Sequence, residues 1–275
     1  MDEFKFDFSS YRDNSINHYH DLLENNPTDE KCFQKFFERN LSFIPGAHSA
    51  FGQSMSGHDP IHDCLISQPK IRGLNTRIPD FMWLSYDSSV FSPVLIEIEA
   101  PSKKLFNKDG SPTSDFTKAK NQLDEWAAHL SKPENQLNFF EDFDIDQDTR
   151  RLHFEPFYIL IYGRRSEFDG NEILTRKRRT LVDKSTQQIL MSFDRLCPNE
   201  IDVRFSCCYM RERQLNLIAL GQKVKLDGSA DYLTNLQNLQ NGIDEMMFTS
   251  DERKDYLKAN INEHIKVLKE EKNCR

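Results

Sequence analysis

Val94-Leu95-Ile96-Glu97-Ile98-Glu99-Ala100-Pro101 is the stretch that decides the fold of this chain. Side chains alternate between the two faces of a strand, so Glu97 and Glu99 point the same way, while the aliphatic neighbours predict a buried strand. Two like charges on a buried strand repel each other and lose hydration. They normally find a cation, share a proton or bind a metal. The stretch therefore predicts a buried strand that carries a functional site.

A third carboxylate comes from the segment Arg77-Ile78-Pro79-Asp80, in which Asp80 precedes Glu97 by 17 residues. An apolar strand over residues 81–84 and a polar turn over residues 85–93 lie between them. This spacing predicts a hairpin that returns Asp80 beside Glu97. Three converging carboxylates form a hard-oxygen site suited to Mg²⁺ or Mn²⁺.

Bulk composition places the chain among cytoplasmic globular proteins. Its 275 residues are 37% hydrophobic and include 21 Phe, enough for a real core. No apolar run approaches the roughly 18 residues that span a bilayer, and the N-terminus lacks the pattern of a secretory signal. The six cysteines are scattered without a CxxC pair, which favours reduced thiols. A net charge of −8 excludes indiscriminate nucleic-acid binding but allows a local basic groove.

The order of predicted elements indicates an α/β fold, with a central mixed sheet flanked by helices. We expect a lead-in over residues 1–27, a core domain over 28–228, and a helical C-terminal extension over 229–275 that could support oligomerisation. The predicted core elements are a helix capped by Thr28 or Asp29, the hairpin after an irregular stretch (42–76), a helix capped by Ser114, a buried strand at 157–163, a basic helix at 173–192 and an apolar strand pair at 203–220. The tail, 232–272, is predicted as helix.

Asp80 with Glu97-x-Glu99 resembles the core of the PD-(D/E)xK nuclease superfamily. Further blocks are similar to one branch of it, the nuclease domain of Shedu anti-phage defence proteins, and they run in the expected order over residues 28–220. These blocks are Glu30-x-x-Phe33-Gln34-x-Phe36-Phe37-Glu38, residues 77–81, residues 96–106, Thr117-Lys118-Ala119-Lys120-Asn121-Gln122-Leu123-x-x-Trp126, residues 158–165 and residues 192–196. The resemblance implies a restriction-endonuclease-like core and a Mg²⁺- or Mn²⁺-dependent DNA endonuclease that acts on phage DNA.

The resemblance also implies roles for individual residues. Asp80 and Glu97 are the expected metal ligands, and the family usually places Lys where this chain has Glu99. A glutamate there can act as a third metal ligand or as a base. The missing cation would come from one of four nearby lysines, of which we favour the first: Lys103, Lys104, Lys118 and Lys120.

Two further residues take their expected roles from related nucleases. Glu30 would lie near the metal, and Gln122 near the catalytic lysine or the scissile phosphate. The alternative for Glu30 is simple stabilisation of the first turn of its helix. The alternative for Gln122 is an ordinary solvated helix face.

One basic segment stands out in this acidic chain, and we predict that it contacts DNA phosphates. The alternative is a surface helix whose charges pair with neighbouring acidic residues. Its members are Arg164, Arg165, Arg176, Lys177, Arg178 and Arg179, followed by Lys184.

Two other functional classes stay open besides a DNA nuclease. One is a catalytically inactive DNA-binding or sensing module with a nuclease fold. The other is a structural interaction protein that assembles through its C-terminal helices. For the nuclease we expect DNA as the partner, no membrane association, and a homo-oligomer, either a dimer or a tetramer.

Overall fold

The computed structural model describes residues 6–48, 57–74, 78–182, 184–224 and 231–273. Its helices are α1 Phe8–Asn25, α2 Glu30–Arg39, α3 Ser114–Leu130, α4 Pro133–Asp142, α5 Glu172–Arg178, α6 Leu239–Asp244 and α7 Asp251–Asn273. Its strands are β1 Cys64–Ser67, β2 Phe81–Tyr86, β3 Val90–Ile98, β4 His153–Phe154, β5 Phe157–Ile161, β6 Gln188–Met191, β7 Ser206–Arg211, β8 Gln214–Ala219 and β9 Leu236–Gln237.

In the described residues nine strands form one mixed sheet, ordered β6-β5-β3-β2-β1-β7-β8-β9, with β4 beside β3. β2 and β3 pair antiparallel, whereas β3, β5 and β6 run parallel to one another. β1 runs parallel to β7. Helices cover both faces, so the predicted α/β class, a mixed sheet flanked by helices, is confirmed.

The hairpin is buried on both faces, as its apolar sequence predicts. Val94, Ile96 and Ile98 face a core cluster that includes the α2 phenylalanines. Leu95 faces a second cluster with Leu123 and Trp126 of α3. Because β3 alternates between two apolar layers, its register is fixed, and Glu97 lies on the face that α3 covers.

The helix caps agree with the sequence in one case and differ in another. Asp29 caps α2, and its carboxylate accepts a hydrogen bond from the Cys32 N–H at 3.2 Å. α3 is capped by Thr113 rather than by Ser114, because the Thr113 hydroxyl accepts from the Phe116 N–H at 3.1 Å. Ser114 is the first helical residue.

The prediction of a basic helix over residues 173–192 is wrong. α5 ends at Arg178, and Gln188–Met191 forms β6, parallel to β5. Its apolar residues extend the sheet beside the fully buried β5, and this packing outweighs local helix propensity. The stretch 42–76, predicted to be irregular, contributes β1, which pairs with both β2 and β7.

The C-terminal region is not one long helix either. A 3₁₀ turn (Asp231–Asn235) leads into β9, which pairs with β8, and α6 and α7 follow. Asn238, in the left-handed region at φ 63°, separates β9 from α6. Leu257 and Ile261 of α7 belong to a core cluster. The boundary predicted between residues 228 and 229 lies in residues 225–230, outside the described residues.

Two further observations bear on the bulk predictions. Five cysteines in the described ranges, Cys32, Cys64, Cys197, Cys207 and Cys208, are free thiols. Cys207 and Cys208 are adjacent on β7 and pack into opposite core clusters. Of the helices that the structure describes, none combines the length and apolar character needed to cross a bilayer.

Candidate metal and nucleic-acid site

Six strands bring their ends to one edge of the sheet, which we call the carboxyl edge. The carboxyl ends of β1, β3, β5, β6 and β7 meet the start of β2 there. Backbone hydrogen bonds continue past the strand ends, from Gln68 N–H to Asp80 C=O at 2.8 Å and from Glu99 N–H to Ile161 C=O at 2.9 Å. In open α/β sheets the carboxyl ends of parallel strands are the usual ligand site.

Asp80 and Glu97 face each other across the hairpin at this edge. Phe81 pairs with Ile96, which places Asp80 opposite Glu97. The Asp80 N–H donates to the Ile96 carbonyl at 3.0 Å, and the Ile98 N–H donates to Asp80 Oδ2 at 2.8 Å. The predicted hairpin is therefore confirmed, although Arg77 of its leading segment lies outside the described residues.

The two carboxylates share a region that disfavours negative charge. Burial raises the pKa of Glu97 well above its usual value, Asp80 and Glu99 raise it further, and a hydrogen bond from Gln122 acts in the opposite direction. Burial also raises the pKa of Asp80 to about 7, against the lowering effect of the Ile98 N–H. We call Glu30, Asp80, Glu97 and Glu99 the acidic centre.

Glu30 reaches the acidic centre from the first turn of α2. The Ser102 N–H donates to the Pro27 carbonyl at 2.9 Å, which holds the start of α2 against the loop after β3. Glu30 is hydrogen-bonded to Glu99; burial and Glu99 raise its pKa, and Lys103 lowers it. Its position therefore involves more than a favourable helix dipole, the alternative that the sequence allowed.

Lys103 is the lysine that the structure brings to the acidic centre. Its ammonium group contacts the Glu99 carboxylate, whose side chain is 14% exposed. Burial acts to lower the pKa of Lys103, but Glu99 and Glu30 more than compensate and raise it. Two other lysines have partners elsewhere, Lys118 with Asp115 at 3.8 Å and Lys120 with Asp124 at 2.8 Å.

The loop that carries Lys103 is held in place by its neighbours. Gly163 follows β5 at φ +62°, and a Cβ atom there would lie 2.6 Å from the Lys103 carbonyl oxygen. The Glu167 carboxylate accepts hydrogen bonds from the N–H groups of Leu105 and Phe106, at 2.9 and 2.8 Å. The position of Lys103 therefore depends on the turn after β5 as well as on β3.

The acidic centre has the donor chemistry for a hard divalent cation. Glu97 Oε2 is buried and has no hydrogen-bond partner, which leaves a desolvated anionic oxygen directed at no other group. Within the described ranges, no three His, Cys, Asp or Glu side chains form a ready-made metal site. Because Mg²⁺ keeps several waters and takes one or two protein carboxylates, Asp80 and Glu97 form the donor pair that fits it.

The basic residues predicted to contact DNA divide into two groups. Four of them already have partners: Arg164 binds Asp194 at 2.7 Å, Arg176 binds Glu172 at 3.3 Å, Lys177 donates to the Gly110 carbonyl at 2.9 Å, and Arg178 donates to the Leu190 carbonyl at 3.0 Å. The side chains of Arg165 and Arg179 are exposed. In the part of the chain that the structure describes, neither has a hydrogen-bond or ion-pair partner.

Several residues at the carboxyl edge escaped the sequence reasoning. Lys70 and Arg213 line a cavity of about 1010 Å³ beside the ends of β1 and β7, on the far side of the acidic centre from Arg165. Glu38 of α2 contributes to the raised pKa of Asp80. No motif links these residues along the chain, and the only available signal was the position of Glu38 on the same helix as Glu30.

Fold and site together define a mixed α/β protein with an acidic centre at the carboxyl edge of its sheet and basic residues on both sides. The chain belongs to the Shedu family, because residues 27–197, more than half of its length, match the family described as Shedu protein SduA, C-terminal. The match contains the acidic centre and stops before β7, short of the 28–220 range that the motifs indicated. No curated protein matches the sequence.

Proposed function

We propose that this chain is a metal-dependent nuclease that hydrolyses phosphodiester bonds of DNA, in defence against phage. The observation that carries the proposal is the buried, unpartnered Glu97 Oε2 opposite Asp80, at a sheet edge with basic residues on both sides. Membership of the Shedu family supports the defence role.

Asp80 and Glu97 would hold Mg²⁺ or Mn²⁺, with Glu99 as a third carboxylate and Glu30 close by. Such an ion lowers the pKa of bound water and polarises the phosphate for in-line attack. The protein prepares the site by keeping two carboxylates desolvated and near each other, an arrangement that a divalent cation stabilises. The Ile98 N–H fixes the Asp80 carboxylate through Oδ2.

Lys103 would supply positive charge where the family pattern has its lysine. Its ammonium group contacts Glu99, so it lies at the acidic centre although it is four residues further along the chain. There it can offset the negative charge that develops on the phosphate in the transition state. Gln122, hydrogen-bonded to Glu97, would keep that carboxylate oriented.

The basic residues on either side would hold the DNA backbone across the carboxyl edge. From β6 to β7 the edge spans five strand spacings, roughly 24 Å. Arg165 and Arg179 lie towards one end, and Lys70 and Arg213 towards the other. A strand laid along this edge would cross the acidic centre midway, with phosphate contacts on both sides.

The direct test is cleavage of linear, nicked and supercoiled DNA by the full chain with Mg²⁺ or Mn²⁺. We expect cleavage by the unaltered protein and a loss of at least about 100-fold in Glu97→Gln, because one catalytic electrostatic group is worth roughly that factor. The matched control is Glu134→Gln, an exposed glutamate in the first turn of α4, which should cut normally. Equal cleavage by Glu97→Gln and the control would refute the proposal.

One observation favours a second candidate, a nucleic-acid-binding module without catalysis. The contact between Lys103 and Glu99 already neutralises one carboxylate of the acidic centre. A module of this kind would bind DNA with affinity that falls steeply with salt. It would show neither cleavage nor a heat of Mn²⁺ binding.

A further inference from the structure

A cleft of about 570 Å³ opens beside the ends of β5 and β6, lined by four arginines. We call it the arginine cleft, and its arginines are Arg165, Arg178, Arg179 and Arg195. They come from three separate segments: the 3₁₀ turn after β5, the end of α5, and the 3₁₀ turn after β6. The fold, rather than one basic stretch of sequence, therefore brings these charges together.

The positive charge of the cleft exceeds what its own acidic residues can neutralise. Two carboxylates, Asp169 and Asp194, share the lining. Asp194 is already engaged by the Arg164 side chain at 2.7 Å and by the Arg165 N–H at 2.6 Å. Across the described ranges, the side chains of Arg165, Arg179 and Arg195 have no hydrogen-bond or ion-pair partner. Three guanidinium groups thus remain without a counter-ion.

Arg178 forms the rigid wall of the cleft. Its guanidinium group lies 5.2 Å from the ring centroid of Phe168 and donates to the Leu190 carbonyl at 3.0 Å. Its Nε is buried and has no hydrogen-bond partner. Burial, together with the nearby charges of Arg195 and Arg165, lowers its pKa. A buried N–H without an acceptor is costly, so this wall is prepared for an anionic oxygen.

We propose that the arginine cleft binds a phosphate group. The planar fork of arginine matches phosphate oxygens, and an anion would relieve the repulsion among the four guanidinium groups. The hydroxyl-bearing Thr175 and Ser192 also line the cleft, and its volume accommodates a nucleotide as well as a bare phosphate. The phosphate could belong to a free nucleotide or to a nucleic-acid strand.

The position of the cleft favours a nucleic-acid strand as its source. β6 lies two strands from β3 in the sheet, which places the cleft roughly 10 Å from the acidic centre along the carboxyl edge. A strand cut at the acidic centre would bring a neighbouring phosphate to the arginines. This choice of source rests on the proposed nuclease function, whereas binding of phosphate in the cleft does not.

The test uses the full chain without metal and two double variants of equal charge change. Arg179→Gln with Arg195→Gln removes two unpartnered charges from the cleft. The matched control, Arg176→Gln with Lys177→Gln, removes two charges of α5 that have partners outside it. Pyrophosphate, adenosine monophosphate and a short DNA duplex are titrated against each protein, and melting curves verify folding.

We expect pyrophosphate to bind the unaltered protein, to bind the cleft variant at least tenfold more weakly, and to bind the control within twofold. The salt dependence of duplex binding, as the slope of log K against log salt, should fall by about two in the cleft variant. Tighter binding of the duplex than of the monophosphate assigns the site to a strand, and the reverse assigns it to a free nucleotide. No pyrophosphate binding, or equal binding by the two variants, would overturn the proposal.

Glu97→Gln separates this proposal from the nuclease proposal, because its cleft is intact. It should bind pyrophosphate like the unaltered protein even though it fails to cut DNA. If the unaltered protein cuts DNA but does not bind pyrophosphate, the cleft proposal fails alone. If pyrophosphate binds and nothing is cut, the nuclease proposal fails alone.

Discussion

The acidic centre and the arginine cleft lie at the same edge of one sheet and carry opposite, uncompensated charges. In the acidic centre, Glu97 Oε2 is a buried acceptor without a donor. In the cleft, Arg178 Nε is a buried donor without an acceptor. Each region is costly alone, since a buried polar group without a partner destabilises the fold. The comparison indicates that the two regions await ligands of opposite charge, a cation in one and an anion in the other.

A single turn connects the two regions. The 3₁₀ turn Arg165–Glu167 supplies Arg165 to the arginine cleft. It also supplies Glu167, whose carboxylate holds the Leu105 and Phe106 N–H groups of the loop that carries Lys103. The spacing between cleft and acidic centre is therefore fixed by short contacts, as a substrate that binds both would require.

Replacement of Lys103 should produce the largest effect in this comparison, because it changes the charge of the acidic centre alone. In Lys103→Met the ammonium group that contacts Glu99 is lost, and we expect DNA cleavage to fall by about 100-fold with little change in DNA affinity. The neighbouring Lys104 is exposed, so Lys104→Met is the matched control. Similar cleavage rates for the two variants would show that Lys103 has no part in the reaction.

Neutralisation of Asp80 tests the electrostatic cost of the acidic centre without reference to activity. Folding raises the pKa of Asp80 to about 7, so its contribution to stability is full below the pKa of unfolded aspartate and is lost as pH rises through 7. Asp80→Asn should therefore stabilise the metal-free protein at pH 8 by about 2 kcal/mol, or about 4–8 °C in melting temperature.

The stabilisation of Asp80→Asn should shrink as pH falls from 8 to 5, because the native aspartate becomes protonated. Thermal melts in a chelator at several pH values measure it. Asp148→Asn, at a side chain that is 91% exposed, is the control and should leave the melting temperature unchanged. A destabilised Asp80→Asn at pH 8 would mean that the carboxylate is already compensated within the fold.

The smallest expected effect concerns the second basic region, at Lys70 and Arg213. Both side chains are exposed beside the ends of β1 and β7. Lys70→Gln with Arg213→Gln should weaken duplex binding by about fivefold at low salt, a loss that fades as salt screens the phosphates. Filter binding at two salt concentrations measures it. Unchanged affinity would confine the DNA path to the side of the arginine cleft.

The acidic centre could be predicted from sequence because hairpin geometry links its members. Asp80 and Glu97 lie on adjacent antiparallel strands, and the alternation of apolar residues fixes which residues face each other. The choice of Lys103 among four lysines could not be derived, since it depends on the path of the loop against Gly163 and Glu167.

The arginine cleft shows why the rest was beyond the sequence. The basic stretch suggested one helix from residue 173 to 192, but β6 takes the second half of that range and redirects the chain. Arg195 then joins Arg165 and Arg179 across the ends of two strands. Parallel strand order is a non-local property, so no spacing in the sequence places these charges together.

Calorimetric titration of Mn²⁺ into the metal-free full chain tests the central claim most directly, because the claim is that Asp80 and Glu97 form a cation site. We predict a measurable heat of binding for the unaltered protein and for Glu134→Gln, with affinity at least tenfold weaker in Glu97→Gln. Equal Mn²⁺ affinity in Glu97→Gln and the unaltered protein, or no binding by the unaltered protein, would contradict the account.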